Sequence, residues 1–340
     1  MKSLKIISPG PFTSVQDAGR FGYQALGIPP SGVMDTRAFY LANLLVGNAP
    51  KAPVLEFTFA GATMEVLDPC WIALTGANME LTINKKPAPM WQSHGLKPGD
   101  RIQVGMVQSG CRGYLALTGG IKVPKIMGSC STYMGANLGG LGGRCLMEGD
   151  IIERGKGKGL KTPKKLPKEL IPPTPSKIIL RAIPGPQDDY FNLDTFFGVP
   201  FDVTDKVNRM GYRLSGPGVE RRPGMPKSII SEPSLPGGVQ IPEDGQPIIL
   251  IAEQTVGGYA KAATVISGDM DRIGQAVPGN TVEFQAVSLD QAHEIFRKRH
   301  EKQRELESMD LSMKTLASLG EDFFHDPVFL DRVEKYMIQI

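Results

Sequence analysis

A mainly β fold of two barrel-like units, with few helices and a helical C-terminal tail, is predicted for this 340-residue chain on three observations. Forty glycines and 28 prolines punctuate short apolar runs, the pattern of many strands joined by turns. Within those runs apolar and polar residues alternate at period two. Two distant segments also echo each other: KPGDRIQV from Lys97 and VPGNTVEF from Val277 each set a Pro-Gly turn and an Asp or Asn before an alternating strand. Such an echo points to two related units, and the length exceeds one typical domain.

The elements follow in order. The first apolar run ends at Pro9. From Ser14 to Asp35 the chain reads SVQDAGRFGYQALGIPPSGVMD, with glycines at 19, 22, 27 and 32 displaying Gln16, Asp17 and Arg20 without a regular period. Glycine in such density belongs to loops shaped around a ligand or a partner. Asp35 opens a helix as a good N-cap, Ala38 to Val46 supplies its apolar surface, and Gly47 is a natural C′ residue. Asp35 is thus a cap, a substrate contact, or both. Strands come next. VLEFTF sets Leu55, Phe57 and Phe59 on one face and Val54, Glu56 and Thr58 on the other. MELTINKKPAPMW turns at Asn84-Lys85, RIQVGMV alternates Ile102, Val104 and Met106, and GYLALTGG is a short buried strand closed by glycines. IILRAI resumes the pattern, QDDYFNLDTFF reads as a short helix, and GVQIP, PIILIA, ATVIS and TVEFQAV complete the second set. From about Ser288, QAHEIFRKRHEKQRELESM and PVFLDRVEKYMIQI give two charged terminal helices, expected to pack or to bind a partner.

Boundaries are expected at 1–153 for the first unit, 154–177 for a linker, 178–288 for the second unit and 289–340 for the terminal helices. The linker, RGKGKGLKTPKKLPKELIPPTPSK, holds eight Lys/Arg and one Glu, so it dominates the formal net charge of +3. The rest of the chain is mildly acidic, which argues against a nucleic-acid footprint. The linker resembles a phosphate-binding loop at first sight, but Leu160 precedes Lys161-Thr162 where that motif demands glycine.

Cys70, Cys111, Cys130 and Cys145 form no C-x-x-C pair and have no histidine near them in sequence, so no metal is expected. Free cysteines suit a reducing compartment. The N-terminal apolar run is too short for a signal peptide, and no stretch approaches the roughly 18 apolar residues of a membrane helix. A cytoplasmic protein that binds neither nucleic acid nor membrane is the expectation. His94 is the one histidine before the C-terminal tail, and no G-x-S-x-G surrounds a serine, which disfavours a hydrolytic triad.

Two further regions share the style of the opening loop. In GSCSTYMGANLGGLGGR, Gly128 to Arg144, freed backbone N–H groups suit an anion and Arg144 is positioned to clamp one; a structural turn cluster is the alternative. In the second half, VNRMGYRLSGP, LPGGVQIP and EQTVGGYAKAATV carry Arg209, Arg213, Gln240, Glu253, Gln254, Tyr259 and Lys261 on glycine-rich segments. Arginine there suits two-pronged binding of a carboxylate.

Together SPGPFTSVQDAGRFGYQALGIPPSGVMD, ANLLVGN, GGIKVPKIMGSCSTYMGANLGGLGGR, IPGPQDDYF, NRMGYRLSGP and GGYAKAATV resemble the biotin-dependent carboxyltransferase family, also called allophanate hydrolase subunit 2. The resemblance runs from Leu4 to about Val287. It implies two cyclophilin-like β-barrel subdomains, of A and B type, and a B-type partner that carries the remaining two. It implies one component of an ATP-dependent 5-oxoprolinase complex, which opens 5-oxoproline to glutamate with the help of a lactam-hydrolase partner of A type. Asp17, Arg20 and Asp35 would then be catalytic, with Gln16, Arg144, Arg209, Gln240 and Tyr259 binding a small amide or lactam. One alternative within the family moves a carboxyl group from carboxybiotin to a urea-like amide. Another reading is a non-catalytic regulator that binds a kinase inhibitor. The chain carries no biotin-attachment Ala-Met-Lys-Met and no recognisable nucleotide loop, so ATP, or biotin under the carboxyl-transfer alternative, would be shared with other polypeptides.

Overall fold

The computed structural model describes residues 1–309 and 311–313; the second terminal helix expected from the sequence, and His325, lie outside the described residues. These residues fall into two compact units. The first comprises Met1–Gly19, Asp35–Pro173 and the described residues from Glu301, the second Arg20–Met34 and Thr174–His300. Arg20–Met34, which sequence order gives to the first unit, therefore groups with the second, and residues 154–173 group with the first.

The first unit contains β1 (Lys2–Ser8), β2 (Thr13–Gln16), α1 (Thr36–Leu45), β3 (Val54–Thr58), β4 (Thr63–Val66), β5 (Cys70–Ile83), β6 (Lys86–Pro87), β7 (Ser93–Leu96), β8 (Arg101–Leu117) and β9 (Ile151–Glu153). They form one nine-stranded sheet ordered β2-β3-β8-β4-β1-β9, with β5 pairing β6, β7 and β8. The long β8 organises it. One edge of β8 takes β4 at Arg101–Gln103 and β3 at Arg112–Leu115, while the other takes β5.

Bulges between Gly76 and Leu81 bend the β5–β8 pair. Gly76 has φ +93°, and a Cβ there would lie 2.3 Å from the Arg112 carbonyl oxygen. Backbone cannot step aside as a side-chain end can. Gly76→Ala should cost about 2 kcal/mol, from left-handed strain and that clash together, read as a lowered chemical-denaturation midpoint. An unchanged midpoint would remove the glycine from the account of the bend.

Local chemistry explains the other elements. Asp35 caps α1 by accepting from Ala38 N–H at 2.8 Å. At its far end Gly47, φ +72°, donates to Leu44 and Asn48 donates to Asn43, a Schellman closure. Asn84 and Lys85 both adopt positive φ in a two-residue hairpin turn. The repeated Pro-Gly turns match in detail. Lys97 N–H donates to Asp100 Oδ2 at 2.9 Å and Val277 N–H to Asn280 Oδ1 at 3.0 Å, while Gly99 and Gly279 are left-handed.

Some expected alternations break. Phe59 leaves β3 with φ +65° and is exposed, and Met106 is exposed while Ile102 and Val104 are buried. Both faces of β3 are covered, so even Glu56 is buried. The segment read as a linker is anchored in part. Leu166 and Leu170 are buried, Leu166 N–H donates to Trp91, and Ser93 N–H to Lys164. Composition counts the lysines and misses two leucines one helical turn apart.

In the second unit β10 (Lys177–Pro184), β11 (Pro200–Val207), β12 (Gly211–Ser215), β13 (Glu232–Pro233), β14 (Gly238–Gln240), β15 (Ile248–Leu250), β16 (Val256–Gly257), β17 (Lys261–Val265) and β18 (Thr281–Ala286) precede or flank α2 (Met270–Gly274). Seven of them close a barrel ordered β10-β17-β14-β15-β12-β11-β18, and β13 pairs β16 beside it. Its core gathers Phe191, Phe196, Phe201, Tyr212 and Phe284, with Phe196 stacked on Phe284 at 4.4 Å. QDDYFNLDTFF forms two 3-10 turns, Asp188–Tyr190 and Leu193–Thr195, rather than one helix. The terminal helix α3 (Leu289–Ser308) follows β18. No helix among the described residues is long and apolar enough to cross a membrane.

Candidate functional site

In the first unit, Asp17 binds the glycine-rich loop rather than facing solvent. Its carboxylate accepts from Ser129 Oγ and Ser131 Oγ at 2.6 Å, from Cys130 N–H at 2.7 Å and from Gly19 N–H at 3.0 Å. The loop's own compactness explains its glycines: a Cβ on Gly140 would fall 2.0 Å from Thr132 Oγ1. Gln16 donates to Ser14 Oγ and to the Thr132 carbonyl, and its buried Oε1 has no partner. The anion that Arg144 clamps is Asp150, in two-pronged fashion at 2.8 and 2.9 Å. That hydrogen bond holds the Asp150 carboxyl below its ordinary range. Asp35 commits one oxygen to capping α1. Its N–H donates to Tyr114, whose phenol is driven up by burial, then by the neighbouring Glu56 and Asp35 charges, so it stays neutral.

In the second unit Arg20 is fully buried. Arg209 is a clamp, its Nε donating to Glu253 at 2.6 Å and an Nη to the Gly32 carbonyl at 2.5 Å. The expectation that these arginines receive a substrate carboxylate meets side chains shut inside the protein or already engaged by it.

Unmet polar chemistry collects instead where β13, β14, β16 and β17 meet. Gln240 faces Lys261 across β14 and β17, with a register shift beside it. Gly238, two residues before Gln240 and on its face, would put a Cβ 3.7 Å from Lys261 Cδ. Lys261 is buried and its Nζ donates to Glu232 Oε1 at 2.5 Å; Gln187 Nε2 donates to the same oxygen at 3.3 Å and its Oε1 accepts from Lys261 N–H. A buried ammonium needs such a partner, and the Lys261 hydrogen bond holds Glu232 below its ordinary range.

Beside this pair, Gln240 Nε2 and Ser234 Oγ are both buried without a hydrogen-bond partner. They converge on Gly257, where a Cβ would lie 2.0 Å from Gln240 Nε2 and 3.3 Å from Ser234 Oγ. Tyr259, two residues on, is exposed. Two orphaned buried groups are destabilising in a folded protein, and a planar amide would satisfy both: its carbonyl accepts from Gln240 Nε2 and its N–H donates to Ser234 Oγ.

Among the residues expected to bind substrate, Gln240 and Tyr259 thus share this region, where Lys261, Glu232, Ser234 and Gln187 join them. Lys261 and Gln187 lie in segments already conspicuous in the sequence, GGYAKAATV and IPGPQDD. Glu232 and Ser234, in SEPSLPGG, look like turn residues and carry no such signal.

Residues 26–286 match the family described as carboxyltransferase domain, subdomain A and B. The chain is 39% identical over 310 residues to the C subunit of 5-oxoprolinase from Escherichia coli, covering 90% of this chain and 97% of that one. It is 32% identical over 337 residues to urea amidolyase of Saccharomyces cerevisiae, covering 92% of this chain but 18% of that one. Among solved structures, K. lactis urea amidolyase superposes with TM-score 0.84 and 30% identity, over 92% of this chain and 20% of that chain.

Proposed function

The chain belongs to the carboxyltransferase subdomain A and B family, and from that premise we propose that it is the C subunit of an ATP-dependent 5-oxoprolinase, opening 5-oxoproline to glutamate with partner subunits. The observation that carries this reading is the near end-to-end match to a stand-alone C subunit, at 90% of this chain and 97% of the relative. The substrate class agrees with the site. A lactam edge presents one carbonyl oxygen and one N–H, the pair that Gln240 Nε2 and Ser234 Oγ lack. Lys261, held by Glu232, stands next to them as the cation that steadies negative charge developing on that carbonyl oxygen and as a proton donor at the ring nitrogen.

Nucleotide phosphates do not fit the glycine-rich loop of the first unit. Its Cys130 N–H and the Ser129 and Ser131 hydroxyls already donate to Asp17. No step through ATP is assigned to this chain, and nucleotide handling falls to the A-type lactam-hydrolase partner. The B-type partner supplies the other two subdomains.

Carboxyl transfer to a urea-like amide is the second reading, favoured by the TM-score of 0.84 to urea amidolyase. A ureido group has the same carbonyl and N–H edge, so Gln240 and Ser234 would hold biotin's ring, which when bound supplies the carboxyl group.

Reconstitution with the products of neighbouring genes tests the choice. Glutamate should form from 5-oxoproline only when this chain, both partners and ATP are present. Absence of glutamate, together with carboxylation of urea in the presence of a carboxybiotin carrier, would replace the first reading with the second.

A further inference from the structure

The first unit holds a cavity of about 490 Å³ that none of the site residues above lines. Its walls include Trp71 at the start of β5, Gly95 of β7, Lys97 and Asp100 of the turn into β8, and Arg154 and Lys158 beyond β9. The benzenoid edge of Trp71 lies over Gly95, where a Cβ would be 3.2–3.4 Å from the ring. Trp71 itself lines the cavity, so one wall is aromatic.

The opposite character comes from RGKGKG, whose composition reads as linker. Its alternation has a structural reason. Gly155 and Gly157 pack against the Thr118–Gly120 turn so closely that a Cβ on Gly119 would fall 2.4 Å from the Gly155 carbonyl oxygen. A Cβ on Gly157 would fall 2.8 Å from Gly119 N. The glycines fasten the strap to the sheet, and the alternate position carries Lys158 at the cavity.

The cavity is cationic: its lining holds three cations, Lys97, Arg154 and Lys158, and one carboxylate, Asp100. Asp100 has both oxygens engaged, accepting from Asn84 Nδ2 of the β5–β6 turn and from Lys97 N–H of its own turn. Neither Lys97 nor Lys158 forms a salt bridge among the described residues, although the Lys97 charge acts on Asp100. Arg154, with its side chain 10% exposed, donates from one Nη to Asp68 and the Pro69 carbonyl, yet its buried Nε–H has no acceptor. A buried donor left unmet, with two ammonium groups outside any salt bridge in the same lining, is what an anion site looks like without its anion.

We propose that this cavity binds a small organic oxyanion, a phosphate monoester or a carboxylate, whose charged end meets Arg154, Lys97 and Lys158 and whose flat ring lies on Trp71. The volume falls within the usual range for small-molecule sites. The adjacent Cys70 thiol, pushed by burial up to about 12, takes no part in binding as a thiolate.

The chain has two tryptophans, and Trp91 is buried. In the Trp91→Phe variant the emission therefore reports Trp71 alone. That variant is titrated with adenosine monophosphate, benzoate and inorganic phosphate, and the wild-type chain is titrated in parallel by calorimetry in case the variant folds poorly. Saturable quenching with Kd below about 1 mM is expected for the monophosphate or for benzoate, and the tighter of the two identifies the oxyanion. Replacing both exposed lysines, Lys97→Gln with Lys158→Gln, should weaken it roughly tenfold or more. An unchanged Kd in the double variant would overturn the anion site, as would the absence of saturable binding by both methods. Inorganic phosphate binding as tightly as the monophosphate would overturn the ring contact.

Discussion

Asp17→Ala is expected to destabilise the first unit by about 3–5 kcal/mol, the cost of stripping a buried charge from the donors arranged around it. The carboxylate is 7% exposed and receives Ser129 Oγ, Ser131 Oγ, Cys130 N–H and Gly19 N–H. Removing it takes the acceptor carboxylate away from three buried donors of residues 129–131. Asp17→Asn keeps the shape but turns an amide N–H toward one of those donors, so a loss of about half that size follows. Ser129→Ala removes one donor to Asp17, which others still serve, and also the acceptor of the buried Ser131 N–H, so about 1–3 kcal/mol is expected. Trp71 and Trp91 both lie in the first unit, so tryptophan emission in a denaturant titration follows the unit that should respond. Turnover of the reconstituted complex should track the folded fraction. If Asp17→Ala unfolds at the wild-type midpoint and the folded protein is inactive, Asp17 is catalytic and its role as the loop's anchor is wrong.

This prediction reverses the emphasis that the sequence alone suggests, and the reason is physical. Glycine density marks backbone that must bend or approach closely, as it does around Asp17 and in the 128–144 loop. It does not tell whether a bend is made for a ligand or for a neighbouring side chain. Asp17, Arg144 and Arg209 have the charge and setting of ligand contacts, and each is engaged by a partner from the same unit: the 129–131 loop, Asp150 and Glu253. The Asp17 pairing joins residues as far as 114 apart in sequence, and no local pattern encodes it. Strands fared better because alternation is local. It failed where a strand is covered on both faces, as at Glu56, or where the chain departs into left-handed backbone, as at Phe59. The Pro-Gly turns were legible because their Asp or Asn acts on a residue three positions away. Ser234 was invisible for the opposite reason: what distinguishes it is a missing hydrogen bond.

In the reconstituted complex, Lys261→Met should lower turnover by roughly 100- to 1,000-fold, the scale of one lost acid–base or charge-stabilising group. The fold should survive, because Met fills the buried path of the lysine stem and Glu232, with its side chain 39% exposed, regains water once its partner is gone. Lys261→Arg separates the two tasks given to the ammonium. It keeps the charge for the developing oxyanion but cannot readily give up a proton, so it should recover part of the loss and not all of it. Gln240→Leu acts differently, since its amide holds the substrate carbonyl in ground state and transition state alike. A raised KM with a smaller change in kcat is the expected signature. Gly257→Ala should mimic it, because the added methyl carbon would sit 2.0 Å from Gln240 Nε2 and push that amide aside. Binding and chemistry would thus divide between the two strands: β14 with Gln240 for KM, β17 with Lys261 for kcat. Turnover within about threefold of wild type in folded Lys261→Met, well short of the loss of one charge-stabilising group, would take the chemistry out of this barrel altogether.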